Sequence, residues 1–197
     1  TIDHTKIDND LTHYPIRLKI TNPEVFSEIV DVDRKKIAVT KSDGITELYA
    51  DIELWDSANE LAVIHVSKSD WTISSSVDTE LYLYFDNTQS DNTTFIGDTG
   101  SSVASNVYNS NFVMVQHMGD NLLDATSNNN DGTNNGSTIV NGLIGKARSF
   151  DGVNDYIEIP YSSELMPTTV SFSLICKFTG SSYSTGGTDQ DTLLRVG

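Results

Sequence analysis

Carboxylates, imidazoles and one thiol are the side chains here that can do chemistry, and their spacing decides which chemistry is open to them. Asp51-Ile52-Glu53-Leu54-Trp55-Asp56 sets carboxylates at i and i+2. On a strand those two share a face, roughly 6–7 Å apart. That is near the separation of the paired carboxylates in glycosidases. The competing reading is the solvated outer face of a strand. We adopt that reading and assign no catalytic residue.

Asp151-Gly152-Val153-Asn154-Asp155 offers oxygen donors from Asp151, Asn154 and Asp155 around a glycine. Calcium takes several hard oxygens from carboxylates, amides and carbonyls on a bent loop. These residues are therefore the candidate Ca²⁺ ligands, although Asp-Gly and Asn-Asp also favour a plain turn. The loop from Asn128 to Asp131 is a second candidate. His4, His13, His65 and His117 show neither i,i+4 nor close strand spacing, so they read as structural or surface residues. Cys176 falls at an inward strand position and is expected to be an inert buried thiol. One cysteine also excludes an internal disulfide and a cysteine-based zinc site. No Ser/His/Asp order, phosphate loop or nucleotide fingerprint is present. Tyr49, Trp55, Trp71, Tyr82 and Tyr84 could stack against sugars, but cross-strand packing accounts for them equally well.

The elements that must position these residues are strands. Ile16, Leu18 and Ile20 alternate with Arg17 and Lys19, the mark of a half-buried strand. From Glu47 to Asp56, Leu48, Ala50, Ile52 and Leu54 are expected on one face and Tyr49, Asp51, Glu53 and Trp55 on the other. Ile37 and Val39 form a short strand ending at the turn Lys41-Ser42-Asp43-Gly44. Leu61 to Val66 is apolar on both faces and belongs centrally. Leu81 to Phe85 alternates aliphatic and aromatic residues. Later strands are expected at Phe112 to Met118, Tyr156 to Ile159 and Ser171 to Phe178, the last with Phe172, Leu174, Cys176 and Phe178 inward. Helix is confined to one short segment, where Asn22-Pro23-Glu24 reads as an N-cap, a proline at N1 and an early acid.

The 197 residues carry 12 Lys plus Arg against 28 Asp plus Glu, a net charge of −16 and a pI near 4.3. That excludes a nucleic-acid binder, which needs a basic footprint, and disfavours docking on anionic membranes. No apolar run approaches the length of a membrane span. The chain opens on Thr1 and reads as a processed product or a segment of something longer. Between Asp86 and Ser110 the composition turns to Asp, Asn, Thr, Ser and Gly, which reads as a linker.

Two resemblances follow. Thr1-Ile2-Asp3-His4-Thr5-Lys6-Ile7-Asp8, Leu11-Thr12-His13-Tyr14-Pro15-Ile16, Lys41 to Leu48, Ile52 to Asp56 and Leu81 to Asn87 resemble the DUF2341 family, a β module of secreted, cell-surface and phage-encoded proteins. Asn111 to Met118, Asp124 to Gly132, Gly142 to Ala147 and Phe150 to Pro160 are similar to the early part of a concanavalin A-like, laminin-G-like jelly roll. Gln116 stands where Trp is common in that family, and Ile175-Cys176 replaces its Trp-containing strand. The superfamily includes glucanases with a Glu-x-Asp-x-x-Glu strand. The order here is Asp-x-Glu-x-x-Asp, and it lies in the first module. The sequence stops near the middle of the expected jelly roll. The remaining half is expected to be lost or disordered, or to be supplied by another chain.

The expected architecture is all-β: a DUF2341-like module over residues 1–87, a linker over 88–108, and an incomplete jelly roll over 109–197. The expected function is non-catalytic adhesion at an extracellular, cell or virion surface, through a glycan or surface polymer. The alternatives are a structural subunit of a virion or surface filament that pairs with neighbouring subunits and, last, a glycan-cleaving hydrolase.

Overall fold

The computed structural model describes residues 1–177. The fold is all-β. Its strands are β1 (Leu11–Thr12), β2 (Ile16–Ile20), β3 (Ile37–Lys41), β4 (Tyr49–Asp56), β5 (Leu61–Ser67), β6 (Thr72–Ile73), β7 (Leu81–Phe85), β8 (Ile96–Asp98), β9 (Thr133–Asn135), β10 (Thr138–Asn141), β11 (Lys146–Ser149) and β12 (Tyr156–Glu158). The one α-helix among the described residues, α1, spans Pro23–Glu28. It starts as expected, with the Asn22 side chain accepting the Glu24 N–H and Pro23 at the first turn. No described helix is long and apolar enough to cross a membrane.

A four-stranded sheet in the order β2-β5-β4-β8 is antiparallel except for β8, which runs parallel to β4. β2 lies at its edge, with Arg17 and Lys19 exposed. β3 pairs with β7, and the turn after β3 puts Gly44 at φ +70°. One face of the large sheet and the β3–β7 pair share the main core. There Ala50, Ile52, Ala62, Ile64, Val66 and Ile96 meet Ile37, Val39, Phe26, Trp71 and Ile73. β5 is central and buried on both faces, as its double apolar pattern predicts.

β4 departs from strict alternation. The register to β5 shifts between Ile52 and Leu54, leaving Glu53 as a bulge. A bulge sets two residues against one and reverses the faces beyond it. Trp55 therefore turns into the core instead of outward, where its indole N–H donates to the Ile29 carbonyl at 3.1 Å. Leu54 joins Val63 on the opposite face, beneath Gly145.

The stretch expected to be a linker is folded onto this sheet. It supplies β8 and a 3-10 turn over Ala104–Val107. Its sparse apolar residues, Ile96, Ala104 and Val107, are almost wholly buried, and burying one such aliphatic side chain contributes about 2 kcal/mol. Gly97 permits the fold-back. A Cβ there would collide with Ser101 Oγ and lie 2.8 Å from the Ala104 backbone nitrogen. Asp98 pins the end of β8 through a bidentate Arg34 (2.7 and 2.9 Å) and Lys35 at 2.8 Å.

Beyond residue 108 the ladders are short: β9 with β12, and the hairpin β10–β11. Two expected strands, over 112–118 and 171–178, are not formed among the described residues. Residues 112–118 make a single bridge, Gln116 to Asp124. Their backbone groups bond side chains instead: Val115 N–H donates to Asp124, and the Val113 carbonyl accepts from Asn128 and Asn130. Residues 171–177 have no ladder partner among the described residues, so alternation alone does not bury them. Phe172, Leu174 and Ile175 are exposed, and Cys176 is exposed rather than a buried thiol. Phe178 lies outside the described residues.

Candidate functional site

The carboxylate pair of β4 is not solvated. Asp51 is fully buried, on the face covered by residues 99–125. Its carboxylate accepts from Thr99 Oγ1 at 2.6 Å, Tyr108 OH at 2.8 Å and His117 Nε2 at 2.8 Å. A buried carboxylate is tolerated only with such partners. Burial opposes a charge on His117. The hydrogen bond and charge of Asp51, reinforced by Glu53 and Asp124, outweigh it and raise the imidazole above its usual range. Burial and then the Asp51 charge hold the Tyr108 phenol far above its ordinary value, so it remains a donor.

Glu53 sits beside this group. Its Oε2 is 2.7 Å from His65 Nε2 and 3.6 Å from His117 Nδ1. The two imidazole rings stack, with centroids 4.5 Å apart and planes 16° apart. His65 arrives by ladder pairing opposite Asp51, and His117 from the covering segment. Sequence spacing gave no sign of this juxtaposition. One signal pointed to it: a β5 that is apolar on both faces requires a cover over His65 and its β4 neighbours.

A second buried carboxylate shapes the loop that follows. Asp124 is fully buried and accepts the N–H groups of Val115, Thr126 and Asn130 together with the Thr126 hydroxyl. Its own N–H donates to Asp131. This fixes residues 124–131, with Asn129 held at φ +54°, a conformation asparagine tolerates better than most residues. Two adjoining clefts result. One, of about 250 Å³, is lined by Asn128, Asn129, Asn130, Asp131, Pro160 and Tyr161 among others. The other, of about 270 Å³, is lined by serines 101, 102 and 105 with Thr126, Ser127 and Asn129. Tyr161 is 78% exposed at the rim.

The candidate calcium ligands form an exposed turn. Asp151 accepts the N–H groups of Val153 and Asn154, and Asp155 accepts that of Asp151. The two aspartate carboxylates thus close the loop itself. In the second candidate loop, Asp131 accepts from Asp124 N–H and Asn130 bonds Val113 and Ser162. Of the aromatic platforms, Trp55 and Trp71 are buried and Tyr49 is half-buried, while Tyr82 and Tyr84 are exposed on β7. Tyr161 was missed, because a lone tyrosine after Pro160 carries no periodic signal.

No family model matches the chain, and no curated protein or solved structure matches it.

Proposed function

We propose that this chain is a non-catalytic binding protein of an extracellular, cell or virion surface that recognises a glycan or similar polyhydroxylated polymer. The observation that carries the reading is the pair of clefts sharing Asn129, lined by amides, hydroxyls and a carboxylate, with Tyr161 at the rim. Sugar hydroxyls need paired donors and acceptors, and sugar faces stack on aromatic rings. Each cleft is smaller than the roughly 300–1,000 Å³ of a drug-sized pocket and suits a single saccharide unit. Asp124 holds the lining in place, which lowers the ordering cost of binding. The resemblance of residues 1–87 to DUF2341 and of 109–197 to a concanavalin A-like module accords with this role.

A glycan array probed with the full chain, in calcium and in EDTA, tests the proposal. Saturable binding that falls at least tenfold in Tyr161→Ala supports it. Absence of binding by the folded protein, or binding unchanged in that variant, refutes the cleft assignment. Loss of binding in EDTA, abolished also by Asp151→Ala, would assign a Ca²⁺ role to Asp151, Asn154 and Asp155.

A second reading has its own support. Ile139, Val140 and Leu143 on the β10–β11 hairpin, with Phe150 beyond it, are exposed. These exposed apolar side chains suit packing or strand pairing with a neighbouring subunit of a virion or filament. Concentration-dependent assembly without glycan binding would favour it.

A further inference from the structure

The Glu53–His65–His117 group has chemistry that the clefts do not use. Glu53 Oε2, His65 Nε2 and His117 Nδ1 all lie within 4.8 Å of one another. They come from a β4 bulge, from β5 and from the segment laid over the sheet. We infer that these three residues form a binding site for a divalent transition metal ion of the zinc type, which ties residues 109–125 to the first sheet.

Three observations support this. First, the donor set is two imidazoles and one carboxylate, which zinc and its neighbours favour and calcium, an all-oxygen ion, does not. Second, the outer partners are those of a metal-ligating histidine. His117 engages Asp51 through Nε2 at 2.8 Å, and Asp51 is itself fixed by Thr99 and Tyr108. A histidine bound to metal almost always gives its other N–H to such a group, which fixes the tautomer and turns the remaining nitrogen to the ion. Third, with Nε2 directed at Asp51, the Nδ1 of His117 faces Glu53 Oε2 at 3.6 Å. That is too long for a hydrogen bond and close to the roughly 3.4 Å between two ligand atoms of one tetrahedral ion with bonds of about 2.1 Å. Nδ1 makes no hydrogen bond among the described residues.

The site is largely enclosed. Side-chain exposures are 8% for Glu53, 16% for His65 and 9% for His117. Gly145 roofs it at φ +64°, where a Cβ would stand 2.9 Å from Glu53 Oε1. Loading requires His65 Nε2 to exchange its 2.7 Å hydrogen bond with Glu53 Oε2, and the proton in it, for the ion, and the stacked rings to tilt apart so that both nitrogens reach it, leaving a fourth position for water. The other group of this kind, Asp3, His4 and Asp78, is more exposed: side-chain exposure is 38% for His4 and 52% for Asp78. It also lacks a buried carboxylate behind its histidine, and it serves as the internal control.

The test uses the full chain stripped with a chelator and titrated with Co²⁺. The expected result is one ion per chain, with the intense visible bands of a low-coordinate N/O site, displaced by Zn²⁺. The bands should vanish in His65→Gln and in His117→Gln and survive in His4→Gln. Asp51→Asn should weaken Zn²⁺ binding by about 10–100-fold without abolishing it. Circular dichroism identifies any variant that fails to fold. Proton NMR of the wild type reads the imidazole shifts on Zn²⁺ addition independently of the variants. A folded wild type with no Co²⁺ bands and no imidazole shifts overturns the inference. So do bands lost in His4→Gln but retained in His65→Gln.

Discussion

Removing the Asp51 carboxylate gives the sharpest check on how the covering segment is held. Asp51→Ala leaves three buried donors, on Thr99, Tyr108 and His117, without their acceptor. Breaking a buried charged pair by deleting one partner costs roughly 3–5 kcal/mol. Two donors have fallbacks. Thr99 Oγ1 already lies 3.2 Å from the Ile52 carbonyl, and His117 Nε2–H lies 3.5 Å from the Tyr108 oxygen, which can accept it. The expected loss is therefore at the low end, about 3 kcal/mol, or a Tm drop of about 6–12 °C for a chain of this length. Tyr108→Phe removes one charge-assisted bond and should cost about 2 kcal/mol. Because both changes delete the same contact, the double variant should fall short of the sum by about 1 kcal/mol or more. Urea denaturation in EDTA, followed by far-UV dichroism and tryptophan fluorescence, measures all three. A cost for Asp51→Ala below about 1 kcal/mol, or strict additivity with Tyr108→Phe, would refute the account of Asp51 as the anchor.

Two further outcomes are expected. Gly97→Ala should destabilise the chain by about 2–3 kcal/mol, because its Cβ meets the Ala104 backbone as well as Ser101; thermal unfolding reads it, and a loss under about 0.5 kcal/mol contradicts the close approach. Asp43 accepts from Thr46 Oγ1 and from the N–H groups of Ile45 and Thr46, which lower its carboxyl from 3.8 to about 2. A lowered folded value means that its stabilisation is present above the unfolded pKa and is lost as pH falls from about 4 through about 2. Acid titration of Asp43→Ala against wild type should thus show a difference at pH 5 that narrows as pH falls from about 4 through about 2, and a gap unchanged with pH would contradict it.

Alternation made β2, β3 and β7 legible, and capping chemistry made α1 legible, because those signals are local. β4 was legible only as far as Ile52. A bulge inserts one residue into the pairing without changing composition, so extrapolated alternation sends Trp55 outward and Leu54 inward. The buried carboxylates were misread for a related reason. Asp51 meets Thr99, Tyr108 and His117 at separations of 48, 57 and 66 residues; the doubly apolar β5 calls for a cover, but local spacing does not say which residues supply it. Residues 88–108 looked like a connector because Ser, Asn and Thr dominate them, yet a few buried apolar positions and two close-packed small residues were enough to seat them. Asp151, Asn154 and Asp155 share one turn, where the two carboxylates accept N–H groups of that turn's own backbone.

The edge position of β2 also limits how the molecule can meet its own copies. An open strand edge invites in-register addition of another chain. Here that edge follows Pro15 and carries two of the chain's 12 basic residues, Arg17 and Lys19, side by side along the rim. A second copy adding antiparallel at that edge would bring like charges together, so stacking of one large sheet onto another is discouraged.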